Sequence, residues 1–187
     1  MALAPAIVTP GMTGVDLTAT YAAVSQTNPS TPEYPGLPFL PGTRVMGTDG
    51  SEWIFVTSAG TFAQYSVVWV DNTYAACALI GGSGADTAVP EGLAGFPATV
   101  QTLNTFTSGY SGWVQISGTC TCLVASAGVA VPLYTLDTAG ALTGATNTAS
   151  HYQISGITCV VTASGSTASA TLCVWNAVSV RKPHAGS

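Results

Sequence analysis

From Gly42 onward, short apolar runs alternate with turn signals, and no window repeats its apolar residues every 3.6 positions. Thr43-Arg-Val-Met-Gly predicts a short strand that ends at Thr48-Asp-Gly, a strong turn signal. Trp53-Ile-Phe-Val-Thr and Val67-Val-Trp-Val are apolar at successive positions, so both faces of these strands are expected to be buried. Ser58-Ala-Gly links the first of them to the next segment, and Asp71-Asn-Thr closes a hairpin into a strand over 74–80. The glycines of 81–86 then mark an irregular excursion. In the second half, Trp113-Val-Gln-Ile-Ser alternates, Cys120-Thr-Cys-Leu-Val follows, and 129–134 is a further strand. Ile157-Thr-Cys-Val-Val-Thr and Ala170-Thr-Leu-Cys-Val-Trp predict a final hairpin around Ser164-Gly-Ser. The expected fold is all-β: a compact antiparallel β-barrel or β-sandwich body over 42–180, with a short C-terminal tail at 181–187.

Two of these strands echo one another. Ser51-Glu-Trp-Ile-Phe-Val-Thr and Ser111-Gly-Trp-Val-Gln-Ile-Ser share their apolar pattern and the position of Trp. The echo is that of a duplicated hairpin unit or of two sheets of one barrel.

Residues 1–41 are built differently. Seven prolines stand here, at 5, 10, 29, 32, 35, 38 and 41, the last five three residues apart. Each proline disfavours helix at the residue before it, and the series favours an extended path. Leu17, Tyr21, Val24, Tyr34, Leu37, Phe39 and Leu40 make the segment too apolar for a solvated linker. An extended N-terminal arm is expected, lying on its own body or on a neighbouring subunit, with one or two helical turns over 16–24.

Composition adds a second constraint. Charged residues make up 6% of the chain and hydrophobic ones 47%, where an average soluble domain is about 25% charged. A surface so poor in charge associates readily, which points to an assembly component whose surface is covered by copies of itself or by a partner. The net charge of −5, with Arg44, Arg181 and Lys182 as the basic residues, excludes a phosphate-tracking nucleic-acid binder and disfavours anionic membranes. The N-terminus lacks a basic stretch and a sustained apolar run, so no secretory signal is expected, and no run is long enough for a spanning helix.

The chemistry-bearing residues are sparse. Cys77, Cys120, Cys122, Cys159 and Cys173 each lie inside an apolar run, as buried reduced thiols do; their spacing lacks the paired pattern of a zinc site. His151 stands alone and His184 lies in the tail. Gly109-Tyr-Ser-Gly-Trp approaches the nucleophile-elbow pattern but fails at its last position. Most of the eight acids fall at turns, where Asp bonds its own backbone. No catalytic residue, cofactor site or metal site is predicted. Trp53, Trp69, Trp113 and Trp175 fall within apolar strands and are expected in the core or a subunit interface.

The stretch from Gly42-Thr-Arg-Val-Met-Gly-Thr-Asp-Gly-Ser-Glu-Trp-Ile-Phe-Val-Thr to Val67-Val-Trp-Val-Asp resembles the body of tailed-bacteriophage capsid decoration, or cement, proteins. Gly109-Tyr-Ser-Gly-Trp-Val-Gln-Ile-Ser-Gly, Val131-Pro-Leu-Tyr-Thr and Thr138-Ala-Gly-Ala-Leu extend the resemblance over about 42–145. It implies a virion protein, made in the host bacterial cytoplasm, that binds the outer face of an icosahedral shell and bridges capsomers. It also implies the major capsid protein as partner, homotrimers, and neither enzymatic activity nor a cofactor. The expected contact residues are Pro29, Pro32, Tyr34, Pro35, Leu37, Phe39 and Leu40 of the arm, with Trp69 and Trp113 of the body. Deletion of 1–41 is expected to abolish capsid binding and leave the body folded. The alternative is a carbohydrate-binding adhesin or head-fibre module attaching to host glycans, which would need exposed tryptophan rings.

Overall fold

A computed structural model of the chain describes residues 15–22, 37–63, 65–78, 93–97, 105–127, 131, 133–135, 140–144, 153–154, 157–159, 163–174 and 180–181. All regular structure among them is strand. The N-terminal region gives β1 (Thr20–Ala22), and the first half of the body gives β2 (Arg44–Met46), β3 (Glu52–Ser58), β4 (Phe62–Ala63), β5 (Val68–Val70), β6 (Ala75–Ala78), β7 (Leu93–Pro97) and β8 (Thr105–Phe106). The second half gives β9 (Tyr110–Ala127), β10 (Leu133–Thr135), β11 (Leu142–Thr143), β12 (Gln153–Ile154), β13 (Ile157–Cys159), β14 (Ala163–Val174) and β15 (Val180–Arg181).

The all-β reading holds, but the sheet is mixed rather than purely antiparallel. β6 runs parallel to β3 (Thr57↔Ala75) and β11 parallel to β9 (Leu142↔Val124). The physical reason in the first case is that β4 and β5 intervene between β3 and β6, so the chain has turned back before it reaches the β3 edge. No closed barrel takes in the described strands: pairings lead from β9 through β7, β5, β6 and β3 back to β9, the other strands of this sheet extend outward from these five, and β4 and β8 pair with each other as a separate two-stranded sheet.

β9 organises the molecule. Its first half pairs with β3 on one edge and with β1 and β7 on the other; its second half pairs with β14 and β11. The change of partner falls at Gly118, whose φ of +91° is left-handed and whose α-carbon faces Ser51 so closely that a Cβ would stand 2.8 Å from the Ser51 Cα. Gln115 spans this kink, its Nε2 donating to the carbonyls of Ser117 and Thr119, each at 3.0 Å.

The two echoing segments are neighbours. β3 and the first half of β9 pair antiparallel, with Ile54 facing Val114, its own counterpart in the echo. A local two-fold through that pair would exchange Trp53 with Trp113. The alternation of each strand then builds two apolar layers. Ile54, Val56, Val114 and Ile116 meet Val68, Val70, Ala76, Phe62 and Phe106 in one cluster. Trp53, Phe55 and Trp113 form another on the opposite face with Val45, Val15 and Leu17. β3 is thus buried on both sides, as its unbroken apolar run predicts.

Two local expectations are corrected. Residues 16–24 do not begin as helical turns: a tight turn at Asp16, held by Thr18 N–H (2.9 Å) and Thr18 Oγ1 (2.6 Å) donating to Asp16 Oδ1, leads into β1. The side-chain turn competes with helix and wins. Ser164-Gly-Ser lies within β14, at a register shift in its pairing with β9, and does not form the hairpin turn. The hairpin itself exists, with Ile157 opposite Val174.

Candidate interface seat

The most built-up feature outside the inner cluster is the aromatic face of β3 and β9. Phe39, Phe55 and Trp113 form a triangle of edge-on contacts: centroids lie 5.5 Å apart for Phe39–Phe55, 5.0 Å for Phe39–Trp113 and 5.1 Å for Phe55–Trp113. Tyr21 reaches Phe55 from the other side at 6.0 Å. Such pairs add about 0.5–1.5 kcal/mol each beyond the area they bury.

Two pieces of the N-terminal region cover this face. Residues 15–22 supply Val15, Leu17 and Tyr21, while β1 pairs with β9 through Thr20↔Gly112 and Ala22↔Tyr110. Residues 37–41 supply Leu37 and Phe39 and then turn into β2, with Gly42 N–H donating to the Phe55 carbonyl at 2.7 Å. Burial, and then the Asp16 carboxylate, push the Tyr21 phenol above its ordinary range.

The seat contains both satisfied and unsatisfied polar atoms. Trp53 Nε1 donates to Ser51 Oγ at 2.7 Å, and Ser51 Oγ donates in turn to Asp49 Oδ1. Burial raises the Asp49 carboxyl pKa, but the Ser51 hydroxyl and backbone amide together outweigh it and hold the group below its ordinary value. By contrast, Trp113 Nε1 and Thr20 Oγ1 are buried with no hydrogen-bond partner.

Of the expected contact residues, Leu37, Phe39 and Trp113 come together here. Leu40 lies just outside, 78% exposed. Trp69 is half-buried on β5, apart from this cluster, and its Nε1 is also unpartnered. Pro29, Pro32, Tyr34 and Pro35 lie outside the described residues. Phe55, the ring at the centre, was not among the expected residues; its signal was the unbroken run of 53–56, which requires a second covered face.

Elsewhere the polar residues serve turns and strand pairing. Asp71 Oδ1 accepts from Thr73 N–H, Thr73 Oγ1 and Ala75 N–H, closing the β5–β6 hairpin. Burial opposes ionisation of this carboxyl too, but these bonds together hold its pKa below the ordinary value. Ser111, of the elbow-like sequence, is fully buried, its Oγ 2.9 Å from Thr57 Oγ1 across the strand pair. Cys120 and Cys122 are buried. No group of three or more His, Cys, Asp or Glu among the described residues could hold a metal, and His151 and His184 lie outside those residues. No helix among the described residues is long and apolar enough to cross a membrane.

No protein-family model matches the chain, and none of the curated proteins matches it.

Proposed function

We propose that this protein is a structural component of a tailed-phage virion that binds the outer surface of the icosahedral capsid and stabilises it by bridging capsomers. The observation that carries this reading is the pairing of a charge-poor chain with an aromatic face strapped by its own N-terminal region. A protein that works by packing needs extended neutral contact area, and many weak identical attachments on a lattice add up to tight retention. The partner in this reading is the major capsid protein, and the assembled unit is a homotrimer formed by the β body.

The tryptophans bear on the alternative, a glycan-binding module. Trp53 and Trp113 are almost wholly buried, and a ring inside a packed cluster offers no face for a sugar to stack on. This favours scaffolding over glycan attachment.

The experiment is co-sedimentation of the purified chain with shells of the phage that makes it. The full chain is expected to pellet at a fixed ratio to the shell protein, and a chain lacking residues 1–14, which keeps the seat covered, to pellet less. Absence of the full chain from the pellet at every concentration would defeat the proposal. Quenching of tryptophan fluorescence by added sugars would favour the adhesin.

A further inference from the structure

We propose that β2 is a pairing edge, on which a second copy of this chain lays its own β2 antiparallel across a two-fold axis at Val45. The inference goes beyond the virion reading and does not depend on it. Three observations carry it.

The first is the edge itself. β2 ends the order of strands in its sheet and, among the described strands, pairs with β3 alone. The bonds to β3 use alternate residues: the Thr43 carbonyl accepts from Phe55 N–H at 2.8 Å, and Gly47 N–H donates to the Ser51 carbonyl at 2.7 Å. By the alternation of an antiparallel ladder, Val45 also bonds towards β3, while the amides and carbonyls of Arg44 and Met46 point away from it. Edges are ordinarily kept from pairing by an unbalanced charge. Here Arg44 is balanced on its own sheet by Glu52 at 3.0 Å, so it does not repel a second copy.

The second is where apolar surface is exposed. Leu40, Met46 and Tyr74 are the large hydrophobic side chains that stand exposed among the described residues, and all of them gather at this strand. Met46 is on it, and Leu40 leads into it, its carbonyl accepting from Thr43 N–H at 3.0 Å. The Tyr74 ring packs on Gly42 so closely that a Cβ there would stand 2.5 Å from it. Tyr74 holds this place with a left-handed φ of 63°, a conformation that costs a bulky residue energy. Clustered apolar surface beside unpaired backbone marks a contact, and it supplies area that a short strand alone does not.

The third is that the strand is complementary to itself, which selects the occupant. With Val45 of one copy opposite Val45 of the other, Arg44 of each stands opposite Met46 of the other. Both members of each pair carry outward amides and carbonyls, so every edge bond closes. On one face, Glu52 and Met46 lie in one row, and Arg44 of the other copy continues it. Each guanidinium is thus brought towards the other copy's Glu52 carboxylate over the Met46 side chain. On the opposite face, Val45 belongs to the cluster of Trp53 and Trp113, so Val45 against Val45 carries that apolar layer through the contact. A foreign strand satisfies the backbone as well; the matched charges and apolar residues on both faces are what a second copy adds. Such a contact closes on two copies, so it joins one assembly to the next rather than building a trimer.

The test uses full-length chains. Val45 of the two copies forms a non-hydrogen-bonded pair, with α-carbons about 4.5 Å apart and within reach of a disulfide. A chain carrying Val45→Cys is oxidised and its linked peptides are mapped. A link between position 45 and position 45 arises only between copies, and it is the expected result. Met46→Pro is the second variant. It removes an amide that points away from β3, so its thermal melt should match that of the unsubstituted chain. Association measured by sedimentation should weaken by about tenfold or more, one bond being lost from each opposed pair. Association that Met46→Pro leaves unchanged, with no 45–45 link, overturns edge pairing and leaves the proposed homotrimer standing. A link from position 45 to the shell protein in the particle overturns the second copy as the occupant. A chain that is monomeric at every concentration overturns the edge contact and the homotrimer together, and co-sedimentation decides capsid attachment separately.

Discussion

Phe55 touches Tyr21, Phe39 and Trp113 at once, so its removal unpins both covering segments from the seat. Phe55→Ala is expected to cost about 3–5 kcal/mol in chemical denaturation, whereas Leu40→Ala, at an exposed position, should change stability by less than about 0.5 kcal/mol. The two buried tryptophans separate more finely. Trp53→Phe removes a donor that Ser51 accepts, and Trp113→Phe removes a donor that nothing accepts. Trp53→Phe should therefore be the more damaging by about 1 kcal/mol, and equal midpoints would contradict the assignment. The turn carboxylates give a pH dependence of definite sign. Asp49 and Asp71 titrate below the unfolded value of 3.8, so their contribution is complete above it and is lost as pH falls through the lower, folded values. Urea midpoints should hold steady down to about pH 5 and decline below about pH 4. Asp71→Asn, which keeps an acceptor but cannot titrate, should make that decline shallower.

At the scale of elements, β9 shows what the sequence discloses and what it hides. The strand signals at 113–117 and 120–124 were legible separately, yet they belong to one strand, because Ser117-Gly118 reads as a break when it is a kink. The echo between 51–57 and 111–117 was visible as a pattern, but direct pairing of the two copies was not, since strand partners depend on tertiary register. β7 carries no strand signal in the sequence, because Gly95 and Pro97 read as breakers. In the fold, the Gly95 position lies hard against Val114, where a side chain would have no room. Within the seat, Leu37, Phe39 and Trp113 could be picked out as apolar residues in telling places. The apolar character of Tyr21 and the unbroken run around Phe55 are legible too, but their contact is not, because only the three-dimensional layering shows which face of β3 the N-terminal region covers. Gly118→Val is the corresponding test. It forces a β-branched residue to φ +91° against the Ser51 backbone, and should cost about 2–3 kcal/mol or more, whereas a fall under 0.5 kcal/mol would mean that β9 does not kink there.

At the scale of the molecule, the expectation that 1–41 can be deleted without harm to the body changes. Val15, Leu17, Tyr21, Leu37 and Phe39 belong to the cover over Trp53, Phe55 and Trp113. Deleting 1–41 should cost about 5–10 kcal/mol of burial and expose an aromatic face to dye binding and aggregation, while deleting 1–14 should leave the melting temperature within a few degrees. A 1–41 deletion that melts like the full chain would show that the cover contributes nothing. The scarcity of charge fits the same picture: a chain with three basic and eight acidic residues presents little to keep copies apart, and Arg44–Glu52, at 3.0 Å, is a partly exposed pair of small energetic weight. The proposal that this surface belongs on a viral shell is tested most directly by imaging the native particle. The protein should occupy a regular position on the outer face of the capsid, in fixed ratio to the shell protein and grouped in threes. Finding it in infected cells as a soluble monomer, with no density for it on the particle, would contradict the account.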